Sequence, residues 1–225
     1  MSGPDSGPVS GPGDVPAKRR VPQQTRSRGR VARLLEVTGE LVVDGGVEKV
    51  NTRAIATAAG IPVASLYQYF ADKDEILLAL VERDLAEMDA QVAADLAALS
   101  LLSVRTIVET TMRAYVKVYL RRPAFVVIWL RGRTNAAIND YCRGHNRLMA
   151  GQLFELARSA GLVADPSTTV HAQLAVEVAD RIFQLAFEDS LEGHPTIIDE
   201  GIDVVTSYLE NHATPAGISG VARQW

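Results

Sequence analysis

Apolar residues recur at helical spacing through most of this chain, and the interruptions fall on residues that end helices. From Thr25 onward Val31, Leu34, Leu35, Thr38, Leu41 and Val42 share one helical face. The run stops at Asp44-Gly45-Gly46, where glycine can adopt the left-handed cap conformation. Asn51 or Thr52 can cap a second, short helix whose Ile55 and Ala59 face a core before Gly60 ends it. A third segment, Val63 to Phe70, is about two turns long and sets Leu66 and Phe70 on one side. Asp72 is placed to cap a long fourth helix, with Glu75 as the other half of a capping box. Further helices are expected over about 104–121, 124–140, 142–160, 168–190 and 196–212, separated by Pro123, Gly161, Pro166 and the Gly193-His194-Pro195 step. No segment alternates as a strand does, and no internal repeat is evident. The expected fold is all-α: a three-helix helix-turn-helix domain over 25–73 and a larger helical bundle over 74–213. A disordered basic tail over 1–24 and a C-terminal tail over 214–225 would flank them.

Composition narrows the class. Hydrophobic residues make up 47% and charged residues 22%, too apolar a balance for a chain disordered throughout. Residues 1–24 are the exception: they hold five of the ten prolines and almost no large apolar side chains. That N-terminal stretch has no apolar core of a signal peptide, and no run of about 18 apolar residues is free of charge, so neither secretion nor membrane insertion is expected. A single cysteine, Cys142, and the lack of any Cys/His cluster with ligand spacing fit a reducing, cytoplasmic setting without metal or cofactor. The net charge of −4 is unevenly spread. Residues 1–73 carry ten Lys/Arg against seven Asp/Glu, and the rest carry thirteen against twenty, so the N-terminal part is the one suited to an anionic partner.

Two short helices joined by a glycine-containing turn, behind a longer supporting helix, make a helix-turn-helix, whose second short helix lies in the major groove of DNA. The residues are Thr52-Arg53-Ala54-Ile55-Ala56, then Ala59-Gly60-Ile61, then Ser65-Leu66-Tyr67-Gln68-Tyr69-Phe70-Ala71-Asp72-Lys73-Asp74-Glu75-Ile76-Leu77. Over about fifty residues this pattern resembles the signature of the TetR family of bacterial transcriptional regulators: a Thr-capped helix, Ala-Gly-Val/Ile, a Leu-Tyr-x-His/Tyr-Phe recognition helix and x-x-Lys-x-x-Leu. Ile76 stands at the final Leu position. Leu66 and Phe70 would lock the recognition helix to its supports, leaving Ser65, Tyr67, Gln68 and Tyr69 outside. The hydroxyls of Tyr67, Tyr69 and Thr52 and the ammonium of Lys73 suit phosphate. The resemblance sets Val63, Ala64 and Gln68 at base edges, with Tyr67 near a thymine methyl; the Gln68 amide can pair with adenine N6 and N7. With Arg53 and Ser65 these complete the expected DNA-contacting set. Pro62 and Val63 depart from the Ser and Lys common in relatives, which shifts readout toward apolar contact with thymine. Arg26, Arg28, Arg30 and Arg33, after Lys18-Arg19-Arg20, form either a basic arm for phosphates and the minor groove or a solvated tail.

In the remaining two-thirds, Val104, Ile107, Val108, Thr111, Met112, Tyr115, Val118 and Tyr119 form one broad apolar face. The resemblance implies a ligand cavity among the central helices, for which Met112, Tyr115, Tyr119, Phe125, Trp129 and Phe154 are the candidates and a hydrophobic or aromatic effector the expected class. Core packing is the competing reading of each. The helix at 168–190 is apolar on most of its circumference, its polar residues Gln173, Glu177, Asp180, Gln184 and Glu188 confined to one stripe. Leu174, Val178 and Ile182 on it, with Ile198, Ile202, Val205 and Leu209 on the last helix, are the expected dimer interface. The resemblance implies a four-helix bundle about a two-fold axis, hence a homodimer on a palindromic operator in double-stranded DNA.

A helical small-molecule enzyme is the rival class, but no phosphate loop, metal-binding His pair or catalytic motif is present, and His145, His171, His194 and His212 stand at unrelated spacings. A DNA-binding regulator without a small-molecule effector, or an activator in place of a repressor, is the other alternative.

Overall fold

Short polar side chains set the starts of five helices. Asn51, Asp72, Ser103, Asn135 and Thr214 each accept the backbone N–H three residues on, satisfying a donor that the first helical turn leaves unpaired. The computed structural model describes residues 21–132, 135–164 and 169–222, with side chains from Ser27 onward. Its helices are α1 (Val21–Gly45), α2 (Thr52–Ala58), α3 (Val63–Leu66), α4 (Lys73–Ala97), α5 (Val104–Arg121), α6 (Pro123–Phe125), α7 (Ala136–Ser159), α8 (Thr169–Ala186), α9 (Pro195–Glu210) and α10 (Pro215–Ser219). A short 3-10 turn, Val47–Lys49, follows α1, and a π-helical stretch, Val126–Gly132, continues α6. The fold is all-α, as the periodicity predicts: an N-terminal helix-turn-helix followed by a helical C-terminal bundle. Among the described residues no helix is long and apolar enough to cross a membrane, and no cluster of His, Cys, Asp or Glu could hold a metal.

Several boundaries differ from the sequence reading. α1 begins at Val21, so the last residues of the expected tail over 1–24 are helical, while positions 1–20 lie outside the described residues. α3 closes at Leu66, one turn earlier than expected, because Gln68 and Tyr69 bond back three residues to Ser65 and Leu66 and tighten the chain into turns. The break expected near residue 141 lies ahead of Ala136, where Asn135 caps the Ile138 N–H at 2.8 Å. Residues 214–222 of the C-terminal tail expected over 214–225 instead pack on the bundle; the last three lie outside the described residues. Thr214 bonds the Leu162 and Gly161 carbonyls, α10 follows, and a two-residue strand β2 (Val221–Ala222) pairs antiparallel with β1 (Leu101–Leu102). Gly217 permits this docking, since a Cβ there would overlap the Leu162 carbonyl.

One hydrophobic cluster runs from the helix-turn-helix into the bundle, and a second, with Val92, Leu96, Leu102, Ile107 and Met149, lies farther along it. Leu34, Val42, Ile55, Leu66 and Ile76 join the first at one end, and Leu80, Met88, Val118, Tyr119, Phe125 and Phe187 at the other. α4 passes through both. α1 also meets the bundle directly: at Gly39 a Cβ would stand 3.5 Å from Ala124 of α6 and 4.0 Å from Leu80 of α4, so the three elements touch at one point.

Along α4, Asp84 is fully buried. Its Oδ1 accepts from Arg83 Nε at 2.9 Å and Nη2 at 2.7 Å, while Oδ2 has no hydrogen-bond partner in the protein. Burial pushes this carboxyl above the ordinary carboxylate range, and the Arg83 and Arg122 guanidiniums offset that only in part. Glu87 behaves oppositely: burial raises it, but its bonds from Arg122 and Arg121 outweigh burial and hold it low. Because the folded state of Asp84 binds its proton more tightly than the unfolded chain, its contribution to stability is present at low pH. It is lost as pH rises from about 4 through the raised value. Asp84→Asn is therefore expected to gain stability relative to the wild type as pH increases over that window, read from urea midpoints at stepped pH. A difference that stays flat or shrinks with pH would show that burial does not dominate at Asp84.

Candidate functional site

The first candidate surface is built on α2 and α3. Asn51 starts α2, and Gly60, at φ +68°, turns the chain in a conformation that a side chain would strain. Pro62 then opens α3. Ile55 and Ala56 of α2 and Leu66 of α3 are buried together, and Phe70 follows them into the core, so α3 is pinned on one side only. On the other side Ala64, Tyr67 and Gln68 are exposed, with Arg53 exposed on α2 beside them. The Tyr67 hydroxyl lies 3.2 Å from Thr52 Oγ1, which holds the ring over the junction of the two helices. Tyr69 is half-buried, and its hydroxyl accepts from Arg30 of α1 at 3.4 Å. Lys73 is the first residue of α4, next to the cap Asp72. Glu75 reaches back past that cap to the Ala71 N–H, a shifted form of the expected capping box.

Two of the expected contacts sit differently. Val63 packs against the core and Ser65 is half-buried, because a helix this short must bury the first-turn residues that flank Leu66 to be held at all. Arg28, Arg30 and Arg33 belong to α1 and not to an extended arm, and Arg33 is paired with Glu36 at 3.0 Å. Arg26 shares α1, its side chain outside the described set, as are Lys18, Arg19 and Arg20. The bond from Arg30 to Tyr69 is a link that sequence spacing could not show, since the two lie 39 residues apart.

The second candidate is a hollow in the bundle. α5, α7, α8 and α9 surround a cavity of about 100 Å³ whose walls include Ile107, Thr111, Met112, Phe154, Ala175, Val176, Val205, Leu209, His171 and His212. A smaller hollow of about 40 Å³ shares Thr111, Met112, Leu153, Val176 and Ala179 with it and extends to Tyr115, Tyr119, Asn146, Asp180 and Phe183. Of the expected lining residues, Met112 and Phe154 face the larger hollow and Met112, Tyr115 and Tyr119 the smaller. Phe125 and Trp129 line neither. Phe125 is buried at 1% exposure and stacks on Tyr119 at 5.8 Å, while Trp129 donates its indole N–H to Asp180 at 2.9 Å. Both belong to the packing that supports the wall, since α6 lies on the α1 side of the bundle.

Burial raises the phenol pKa values of Tyr115 and Tyr119, so both present neutral hydroxyls. It also pushes the Cys142 thiol up to about 12, which keeps it protonated and a poor nucleophile. The histidines, unrelated by spacing, are partly gathered by the fold: the rings of His171 and His212 stack at 3.8 Å on the wall of the larger hollow, with Tyr208 edge-on to His212.

The third surface is the outer side of α8 and α9. Val170, Leu174, Val178 and Leu185 of α8 and Val204 of α9 are exposed large apolar residues, and Ile182 is half-buried. Gly201 lets the two helices approach closely, since a Cβ there would overlap Ile182 Cγ2. Ile198, Ile202 and Val205, expected at a dimer interface, are instead buried within the protomer, and Leu209 lines the cavity. α9 presents two apolar lines, and the wider one turns inward because α5 and α8 both pack on it; Arg105–Asp203 at 2.9 Å and Arg113–Asp199 at 3.1 Å fasten α5 to α9. Val204 is the exposed large apolar residue of α9, whereas Ile197 and Tyr208 pack partly against the core.

Comparison with known proteins agrees with this layout. Residues 34–80 match the family described as bacterial regulatory proteins, tetR family, and residues 102–213 match the Tetracyclin repressor-like C-terminal domain. The HTH-type transcriptional repressor KstR of Mycobacterium tuberculosis is 36% identical over 64 residues, 28% of this chain and 29% of that protein. Its counterpart in Mycolicibacterium smegmatis is 37% identical over 64 residues, 28% and 31% of the two chains. The matched segment thus spans under a third of the length of these curated relatives. Among solved structures, a TetR-family transcriptional regulator from Streptomyces coelicolor is similar at TM-score 0.64 and 25% identity over 81% of this chain and 99% of that one. The fatty acid degradation regulator FadR from Bacillus halodurans shares the fold at TM-score 0.65 and 14% identity, over 79% of this chain and 94% of that one.

Proposed function

Because the chain belongs to the TetR family of transcriptional regulators, we propose that it is a repressor that binds a palindromic operator as a homodimer and is released by a small, largely hydrophobic molecule. The observation that carries this reading is the outward side of α3 and the turn after it, with Ala64, Tyr67 and Gln68 exposed, joined through the uninterrupted α4 to a bundle with an apolar hollow. Thr52, Arg53, Tyr67, Tyr69 and Lys73 serve phosphate; Ala64 and Gln68 read bases, with Val63 and Ser65 at the edge of that surface. The exposed apolar residues of α8 and Val204 of α9 serve a second copy of the chain, whose two-fold symmetry the operator mirrors. Such a regulator works in the cytoplasm, where the bacterial genome lies.

Ligand binding acts as a population shift: it favours a dimer whose recognition helices no longer match successive major grooves. Two paths lead from the hollow to α3. One is α4. The other runs from Asp180 on the wall, through its bond to Trp129, along the π-helical stretch and α6 to α1 at Gly39.

Fluorescence anisotropy on DNA from upstream of the gene, against scrambled DNA and at several salt concentrations, tests the reading. Tyr67→Ala and Lys73→Ala are each expected to weaken specific binding roughly tenfold, and Lys73→Ala to lower the salt slope by about one. Indifference of both DNA sequence and both substitutions would mean that the α2–α3 surface is not what meets DNA.

A further inference from the structure

We propose that the effector is a neutral, mostly apolar molecule whose single oxygen, carbonyl or hydroxyl, is received by Asn146 and Thr111 where the two hollows meet. This rests on the reading of the chain as a ligand-responsive regulator. Thr111 and Asn146 are each only 9% exposed, and Thr111 Oγ1 and Asn146 Nδ2 have no hydrogen-bond partner in the protein. Buried polar atoms are nearly always paired, because an unpaired one forfeits its bond to water. A helical threonine has an easy remedy, a bond to the carbonyl one turn back, and Thr38 takes it, donating to Leu34 O at 2.7 Å. Thr111 does not. Both residues line the smaller hollow, one from α5 and one from α7, and Thr111 also lines the larger. An amide N–H with no acceptor calls for a ligand oxygen, and a threonine hydroxyl can donate to the same atom or accept from a ligand hydroxyl.

The surroundings restrict the rest of the molecule. Met112, Leu153, Val176, Ala179 and Phe183 supply apolar contact around the two polar groups. Among the described residues no lysine or arginine lines either hollow, and the carboxylate of Asp180, bonded by Trp129 and Gln184, stands on the smaller one. An anionic head there would meet a like charge in a poorly solvated place. Hollows of about 100 and 40 Å³ also set the size. A dry cavity on the order of 150 Å³ accepts benzene, so the two hollows together are of one-ring scale, and a ring with a small oxygen-bearing substituent enters with adjustment of the lining side chains.

Calorimetric titration of the full-length protein with matched one-ring probes tests this. Acetophenone and α-methylstyrene differ only in a carbonyl oxygen against a methylene; 1-phenylethanol and cumene differ only in a hydroxyl against a methyl. At least one oxygen-bearing member is expected to bind roughly three- to tenfold tighter than its hydrocarbon twin, and benzoate more weakly than acetophenone. The pair that discriminates tells carbonyl from hydroxyl. Thr111→Val and Asn146→Leu should erase the preference while keeping the affinity for the hydrocarbons. Each removes an unpaired polar atom, so each is expected to hold or raise Tm. Hydrocarbons that bind as tightly as their partners, or variants that keep the full preference, would overturn the assignment of the oxygen while leaving a ligand-binding hollow in place. Failure of all five probes to bind up to their solubility limits would overturn both the assignment and the ligand-responsive reading.

Discussion

Leu174→Glu combined with Val178→Glu is expected to make the protein monomeric and to weaken binding to a palindromic operator on the order of 100-fold. Leu174 and Val178 are 49% and 42% exposed on the outer side of α8, so a carboxylate at either place costs the protomer little. In a dimer formed through this face the same carboxylates would be set against apolar residues of the second copy. The loss on DNA is large because two half-sites held by one dimer reinforce each other, whereas a monomer engages one at a time. Sedimentation of both proteins, and anisotropy on full and half operators, separates the effects. The variant should fold with unchanged helicity and bind a half-site as the wild type does. A doubly substituted protein that still sediments as a dimer would place the interface elsewhere.

Leu66→Ala is expected to cost about 2–5 kcal/mol and to abolish specific DNA binding. Leu66 is fully buried, and α3 is only four residues long, so Val63, itself only partly buried, is the other apolar side chain of the helix that packs against the core. Without that anchor the exposed Tyr67 and Gln68 lose their orientation. Gln68→Ala is the contrast: an exposed side chain whose removal should leave stability within about 0.5 kcal/mol while relaxing base preference. Urea unfolding with anisotropy on operator variants checks both. If Leu66→Ala keeps the wild-type midpoint, α3 is held by contacts other than those of its buried face.

The elements of the α2–α3 surface were legible in the sequence because they are local. Asn51 and Asp72 cap helices three residues ahead, Gly60 turns the chain at a positive φ, and Leu66 and Phe70 lie one turn apart. Each of these relations is settled within a few residues by backbone sterics and the helical period. The departures within the same region were also local in origin but fine in scale: α3 tightens after Leu66, and Val63 is drawn toward the core. The β1–β2 pair had no sequence signal, since two residues cannot show alternation and their partners lie about 120 positions apart.

The bundle shows the other limit. Periodicity announced that α5, α8 and α9 carry broad apolar faces, but a face with apolar residues all round does not say which side its neighbours will take. Packing of α5 and α8 onto α9 turned Ile198, Ile202 and Val205 inward and left Val204 outside. The same packing brought His171 to His212 and Thr111 to the hollow that Asn146 lines, pairs that belong to different elements. The sequence by itself determined the helical class, the helix-turn-helix and the outward Tyr67 and Gln68, because capping, turn geometry and the 3.6-residue period act over short stretches. Only the tertiary structure decided the cavity wall and the inward and outward sides of α9, because those depend on which apolar faces meet, and hydrophobic burial has no direction until they do.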